Sequence, residues 1–344
     1  MGNYLSTKSE PAPLLQPAIE GNLAKIKELV GHHIAATSLK SKDELANFVN
    51  DADKEGNSAL IGAAFSGHLD ICKFLIEDCH ADIQQKNKIG CSPLWIACGY
   101  GHVHIVEYLV TYMNDSRNNM NVSAAFLEGN STGDLPLLAA AFKGHVKVIE
   151  KALEILNDAN VWDILISKNN SGDTLLHVVV SSGYEGPLLE LLLESEQKLF
   201  NSNNCNERPL TMKNRAGLTP LLVACERNFV NIVKELIQRG ADFHTSDENE
   251  RRPLAIASFC GCMDVMDYIL TLDESKKAID ATDKNGCTAL WLAARTGNDK
   301  MVKVLIDAGA DVSIRNNEGM TPQDTAEKYK KEKVTKYFAQ RLSN

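Results

Sequence analysis

The residues of this chain best suited to chemistry are two cysteines one residue apart, Cys260 and Cys262. Such thiols could bind a metal ion or exchange electrons as a disulfide. Two ligands are too few for a zinc site, however, and no second Cys or His pair follows at zinc-like spacing. We therefore interpret the pair as structural. The chain has 9 cysteines, an odd number, and no apolar leader, which predicts free thiols in a reducing compartment.

Three histidines, His68, His102 and His145, each directly follow a glycine. A histidine next to a thiol or hydroxyl could act as the general base for a nucleophile. These three recur because a longer segment recurs, so we interpret them as capping or packing residues. The sequence also lacks a phosphate-binding glycine loop and a nucleophile elbow. These observations predict a protein that is not an enzyme and that has no cofactor and no bound metal.

The recurring segment is anchored on a glycine that precedes the start of a helix. Successive anchors are 33 to 45 residues apart, and a glutamate replaces the glycine in one copy. The anchors are Gly56, Gly90, Gly133, Gly172, Gly217, Glu250, Gly286 and Gly319. Three residues before each anchor is an Asp or Asn, which can bond to backbone NH groups in a tight turn. These residues are Asp53, Asn87, Asn130, Asn169, Asn214, Asp247, Asp283 and Asn316.

Each anchor is followed by the signals of two antiparallel helices. A hydroxyl residue with proline, as in Ser92-Pro93, suits the start of the first helix. Small residues follow at its centre, and a second glycine such as Gly101 breaks the helix. An apolar stretch with helical spacing comes next, as in residues 231–237. The pattern predicts a chain of stacked helix pairs.

This segment resembles the ankyrin repeat, a β-turn and two antiparallel helices in about 33 residues. The resemblance runs from about residue 13 to about residue 340 and implies an all-α repeat solenoid of stacked ankyrin repeats. We expect a flexible tail at residues 1–12 and a single ankyrin-repeat domain over residues 13–344. Residues 13–50 form a degenerate first repeat, and the later repeats begin near residues 53, 87, 130, 169, 214, 247, 283 and 316. The lysine-rich helix after Gly319 is the polar cap that a terminal repeat requires.

Two departures from the family pattern matter for function. The histidine of the Thr-Pro-Leu-His motif survives only as His177, and we interpret Trp95 and Trp291, which replace it in two copies, as partly buried packing residues. Four insertions also separate the second helix of one repeat from the turn of the next, near residues 31–50, 113–129, 157–168 and 194–213. We expect them to form loops, and a loop could host a ligand or catalytic site. That alternative to protein binding stays open.

By resemblance to the family, partners bind a concave face made of turn tips and first helices. Arginine and aromatic side chains are enriched in binding hot spots, and several occupy these positions. The candidate turn-tip residues are Lys54, Lys88, Ile89, Arg215 and Arg251, and the candidate helix-end residues are Phe65, Tyr100, Phe142, Arg227, Phe259 and Arg295. Phe65, Tyr100 and Phe142 come from consecutive repeats, so stacking is expected to align them as an apolar ledge. The alternative is that each ring only fills space between helices.

Composition narrows the class of partner. The net charge is −9, whereas a phosphate backbone attracts an excess of Lys and Arg, so we expect no nucleic-acid partner. No apolar run approaches the ~20 residues that cross a bilayer, and no basic-then-apolar leader is present. We therefore expect a non-catalytic scaffold or adaptor in the cytoplasm that binds one or more partner proteins.

The amino terminus carries a separate signal. Gly2 followed by Ser6 fits the pattern for N-myristoylation. A single myristoyl chain gives marginal, reversible membrane binding, and Lys8 is the only basic residue nearby. The pattern predicts a myristoylated adaptor that associates weakly with a membrane, and an ordinary unmodified tail is the alternative.

Overall fold

The computed structural model describes residues 12–37, 42–115, 117–118, 120–156, 158–203, 207–273 and 278–342. These residues fall into two compact units that divide between Asn170 and Ser171. We call the part that ends at Asn170 unit 1 and the part that begins at Ser171 unit 2. Within the described ranges both units are helical, and the one isolated strand-like bridge joins Ala52 to Ser58. The all-α class expected from the sequence is confirmed.

Each repeat contributes a short first helix and a second helix that follows the break. In unit 1 the first helices are Leu15–Ile19, Ala59–Ser66, Pro93–Tyr100 and Pro136–Phe142, and in unit 2 they are Leu175–Ser181, Pro220–Glu226, Pro253–Cys260, Ala289–Thr296 and Pro322–Lys328. In unit 1 the second helices are Leu23–Thr37, Leu69–Lys73 with its wider last turn Phe74–Asp78, Val103–Asn114 and Val146–Ile155. In unit 2 they are Pro187–Asn203, Val230–Gln238, Met263–Thr271, Asp299–Asp307 and Glu332–Leu342. The helices Leu15–Ile19 and Leu23–Thr37 lie in the segment expected to form a degenerate first repeat, and Gly21 between them has a positive φ of 75°.

The first helices pack on one another within each unit because their centres are small. Ala63, Ala64 and Ala97 are fully buried. At Gly62 an added Cβ would lie only 2.7 Å from Leu15 Cδ1 on the preceding first helix. Close backbone approach of this kind leaves no room for larger side chains.

The turns are bonded to one another through their backbones. In unit 1, Asp53 Oδ1 accepts bonds from the backbone NH of Glu55 (2.9 Å) and Asn57 (2.8 Å), which shapes the turn. The NH of Lys88 then donates to the carbonyl of Glu55 at 2.9 Å, linking two turns. Unit 2 repeats the link between Lys284 and Asn249, 3.0 Å. Glu250, the anchor that is not glycine, adopts the same left-handed conformation with φ 62°.

The described parts of the insertions contain helices, contrary to the loops expected from the sequence. Three contain helices of their own: Lys42–Val49, Val122–Leu127 and Asp158–Ile166. The fourth lengthens the second helix Pro187–Asn203 and adds one short turn of 3₁₀ helix, Pro209–Thr211. They fold because each carries apolar side chains that become buried, Phe126 and Trp162 among them. These buried residues of the insertions therefore belong to the core.

Candidate protein-binding surface

Three of the four first helices in unit 1 are closed at their ends by a histidine of the next repeat. His68 Nε2 lies 3.1 Å from the carbonyl oxygen of Ile19, and His102 Nε2 lies 2.8 Å from that of Phe65. A carbonyl oxygen only accepts, so these rings carry their proton on Nε2. His145 makes the equivalent bond to the backbone of Gly99, and its burial lowers its pKa. The structure thus confirms that the three recurring histidines cap and pack.

Cys262, the second cysteine of the Cys260/Cys262 pair, occupies the repeat position that the histidines occupy in unit 1. The Cys262 thiol donates to the carbonyl of Glu226 at 3.3 Å, as the histidines do elsewhere. Burial raises the pKa of Cys262 to about 11 and that of Cys72 to about 12. Thiols of this kind stay protonated at neutral pH and are poor nucleophiles.

Neither a metal centre nor a membrane span emerges from the parts of the chain that the structure describes. Within those ranges, no three His, Cys, Asp or Glu side chains converge in a way that could hold an ion. None of the helices there combines the length and the apolar character needed to cross a bilayer.

The aromatic residues predicted in unit 1 are brought together in part. The rings of Phe65 and Tyr100 meet edge to face with centroids 4.5 Å apart. Lys143 Nζ lies 3.7 Å from the Tyr100 ring centroid. Partial burial lowers the pKa of this ammonium group. Phe142, beside it in the chain, is 51 % exposed. The predicted apolar ledge is thus an aromatic pair, a lysine over one ring, and an exposed phenylalanine.

The register explains why a lysine joins this row. Phe65 and Phe142 stand two residues before their break glycines, whereas Tyr100 stands one residue before Gly101. Lys143, like Tyr100, stands one residue before its break glycine, Gly144, and its ammonium group contacts the Tyr100 ring. Sequence reasoning missed Lys143 because it treated the three rings as equivalent. Counting from the break glycine was the signal that would have found it.

Unit 2 presents arginines over aromatic rings at its helix ends. The Arg251 guanidinium carbon lies 5.1 Å from the Phe259 ring centroid, and its Nη2 pairs at 2.6 Å with the buried carboxylate of Asp247. Arg295 lies 5.6 Å from the ring centroid of Tyr329, which is well exposed. Cation–π contacts of this kind hold the rings and guanidinium groups in a fixed arrangement on the surface.

Tyr329 was missed because its repeat lacks the break glycine. Lys330 takes that place with a positive φ of 56°. Tyr329 therefore has the register of Tyr100, and Arg295 contacts it as Phe65 contacts Tyr100. The residue two before one break thus meets the residue one before the next break in both units.

The remaining predicted residues differ in how far their side chains are exposed. Lys54, Lys88, Arg215 and Arg227 are exposed, and Ile89 is partly buried. Trp95 and Trp291 are more deeply buried than expected, at 3 % and 4 % exposed, which supports the packing role. The Trp95 indole NH also donates to the carbonyl of Asp134 at 2.7 Å. Gly2 lies outside the described residues.

Helix pairs joined by bonded turns define a helical-repeat protein. Models of ankyrin repeats match residues 79–161, 151–245 and 176–280, and further single repeats match residues 55–88 and 285–317. The chain belongs to the ankyrin repeat family. Ankyrin repeats mediate protein–protein interaction, so this is a protein-interaction domain.

The chain is also similar to parts of several longer proteins. The chain is 30 % identical over 166 residues to the tyrosine-protein kinase HTK16 of Hydra vulgaris, which covers 48 % of the chain and 21 % of the kinase. It is 26 % identical over 288 residues to the ankyrin repeat and KH domain-containing protein mask-1 of Caenorhabditis elegans, covering 77 % and 10 %. A human transient receptor potential channel, subfamily A member 1, is 26 % identical over 158 residues, covering 44 % and 14 %. The chain therefore spans about a fifth or less of these relatives.

Proposed function

We propose that this chain is a non-catalytic adaptor whose unit 1 binds a partner protein through the aromatic ledge of Phe65, Tyr100 and Phe142. The observation that carries the proposal is the exposure of Phe142, 51 %, next in the chain to Lys143, which contacts the Tyr100 ring of the Phe65–Tyr100 pair. An exposed aromatic ring offers a partner a large apolar contact with little loss of side-chain freedom.

Two further features support a binding role without catalysis. The described parts of the insertions contain helices that bury residues such as Phe126 and Trp162, which supports a structural role for them. The histidines and Cys262 are engaged in backbone bonds at the breaks, and burial raises the pKa of the thiols.

Simultaneous replacement of Phe65, Tyr100 and Phe142 by alanine is expected to abolish partner capture. Truncating a cluster of aromatic hot-spot residues weakens binding by about 2 kcal/mol or more per residue in the strongest cases. The measurement is affinity capture from native cells followed by quantitative mass spectrometry of the bound proteins. Ile34→Ala is the matched control, because Ile34 is also an exposed large apolar residue but lies on a second helix. Equal capture by wild type and triple variant would refute the ledge as the contact surface.

We also propose, from the sequence pattern at Gly2 alone, that the adaptor is N-myristoylated and associates weakly with membranes. Protein made in eukaryotic cells should carry the added mass of one myristoyl group, and the Gly2→Ala variant should lose both that mass and any membrane fraction. If the intact mass of the wild-type protein, like that of the variant, matches its sequence without an added myristoyl group, the proposal is wrong.

A further inference from the structure

The last repeat of unit 2 carries a cationic segment in an otherwise acidic chain. Residues 327–341 contain six cationic and two acidic side chains, a local net charge of +4 against −9 for the whole chain. The cations are Lys328, Lys330, Lys331, Lys333, Lys336 and Arg341. The other second helices of unit 2 are neutral or acidic by the same count. A polar cap needs hydrophilic side chains of either sign, so capping alone does not explain this excess of lysine.

The lysines of this segment lie on the surface around the break between its two helices. Lys330 stands at the break and has a positive φ of 56°. Lys333 and Lys336 lie three residues apart on the helix Glu332–Leu342, which places them on neighbouring turns of one side. These three side chains and that of Lys328 are exposed. Their ammonium groups are therefore accessible to a partner.

The helix that carries Lys333 and Lys336 is amphipathic. Its apolar side chains Val334 and Phe338 are buried within the protein. The helix can therefore meet a partner with its charges, but not by inserting its apolar face. Beside it, the Tyr329 ring is 42 % exposed. Tyrosine is enriched where lipid meets water, because its ring is apolar and its hydroxyl group is polar.

Carboxylates of the described chain leave much of this positive charge unpaired. Two cations of the segment form ion pairs, at 3.3 and 3.7 Å, and each of the four side chains involved is more than half exposed. These pairs are Lys328–Glu318 and Arg341–Asp307. Exposed pairs of this kind contribute little. Among the described residues, no carboxylate pairs with Lys330, Lys333 or Lys336.

The composition and extent of the segment favour a membrane over the other anionic partners. Clusters of about four to eight Lys or Arg residues are attracted to anionic lipid surfaces. A nucleic acid gains affinity from every phosphate that the protein neutralises, whereas the rest of this chain carries −13 by difference and would repel it. Five of the six cations are lysine, which is depleted from protein–protein interfaces.

We infer that the cationic segment, residues 327–341, is a contact surface for the anionic lipid headgroups of a membrane. Lys330, Lys333 and Lys336 face the headgroups, and Tyr329 lies at the boundary between lipid and water. The inference does not depend on the ledge of unit 1 or on acylation at Gly2. Stable attachment to a membrane takes two signals, and a cationic surface would complement a single myristoyl chain.

The test measures co-sedimentation of the full chain with vesicles of phosphatidylcholine that contain about one third phosphatidylserine. Protein made in bacteria carries no myristoyl group, so binding reports the protein surface alone. The wild type should bind these vesicles but not pure phosphatidylcholine, and binding should fall as the salt concentration rises from about 0.05 to 0.3 M. A lysine close to an anionic surface strengthens binding about fivefold. The triple variant Lys330→Gln, Lys333→Gln, Lys336→Gln should therefore bind about tenfold or more weakly.

The matched control removes the same charge elsewhere. Lys54→Gln, Lys88→Gln and Lys284→Gln together change three exposed lysines at turn tips and should leave vesicle binding unchanged. Circular dichroism melting checks that both triple variants fold. If the first does not, Lys333→Gln with Lys336→Gln, which keeps the left-handed Lys330, should still weaken binding about fivefold or more.

Three results would overturn the inference. The first is equal binding to vesicles with and without phosphatidylserine, and the second is equal binding by the wild type and the triple variant of the segment. The third is a wild-type chain that ignores the vesicles but binds a DNA duplex through the same lysines, which would assign the segment to nucleic acid. Because the protein in this test carries no acyl group, such a failure leaves the proposal at Gly2 to its own mass measurement.

Discussion

Replacement of Phe126 by alanine is expected to lower the free energy of unfolding of unit 1 by about 3–5 kcal/mol. Phe126 lies in the inserted helix Val122–Leu127 and is 0 % exposed. Removing the ring forfeits its burial and leaves a cavity that the surrounding helices can fill only in part. Urea unfolding followed by far-UV circular dichroism measures the effect.

Phe142→Ala is the matched control for this experiment. It makes the same chemical change in the same unit at a ring that is 51 % exposed, so we expect a loss of less than about 1 kcal/mol. Similar losses for the two variants, or a negligible loss for Phe126→Ala, would show that the insertion near residues 113–129 is a dispensable loop after all.

Removal of the Arg208 side chain should destabilise unit 2 by about 3 kcal/mol or more. Glu196 is only 2 % exposed, and Arg208 binds both of its carboxylate oxygens, at 2.8 and 2.9 Å. The same guanidinium lies 5.0 Å from the ring centroid of Phe200. Arg208→Ala leaves a buried carboxylate without its cation, which is far more costly than losing both charges together. Urea unfolding, followed by a signal that comes from unit 2, measures the loss in the free energy of unfolding.

Two further variants separate this account from a general effect of losing arginine. Arg239→Ala removes a comparable bond of 2.9 Å to Glu235, but that pair is more exposed and should contribute only about 0.5 kcal/mol or less. The double variant Glu196→Leu with Arg208→Met should recover most of the stability, since it replaces the buried pair with apolar groups of similar size. A double variant as unstable as Arg208→Ala would contradict the account.

Much of the fold follows from local signals in the sequence. The Asp or Asn before each anchor predicted a bonded turn, and Asp53 shapes one through bonds to Glu55 and Asn57. The recurring histidines predicted caps, and His102 bonds to the carbonyl of Phe65. These features depend on contacts within one repeat or with the adjacent repeat. The position of a residue within the repeat is therefore enough to predict them.

The structure of the insertions and the exact contacts between helix ends could not be predicted from the sequence in the same way. Insertions share no register with the repeat, so nothing in the pattern indicated that Phe126 would be buried. Lys143 and Tyr329 each depend on a shift of one residue relative to the break, which changes the neighbour a side chain meets. The division between Asn170 and Ser171 was also absent from the predicted single domain over residues 13–344, which stays a prediction.

The most direct test of the proposed function is the dissociation constant of the captured partner for wild type and for Phe142→Ala. The side chain is exposed, so the variant should fold as the wild type does, and any change in affinity reports contact with the partner. We predict that the dissociation constant rises by about tenfold or more, the range of a hot-spot residue. A change of less than about twofold in the dissociation constant corresponds to much less binding energy than a hot-spot residue contributes. That result would contradict the claim that the aromatic ledge of unit 1 binds the partner.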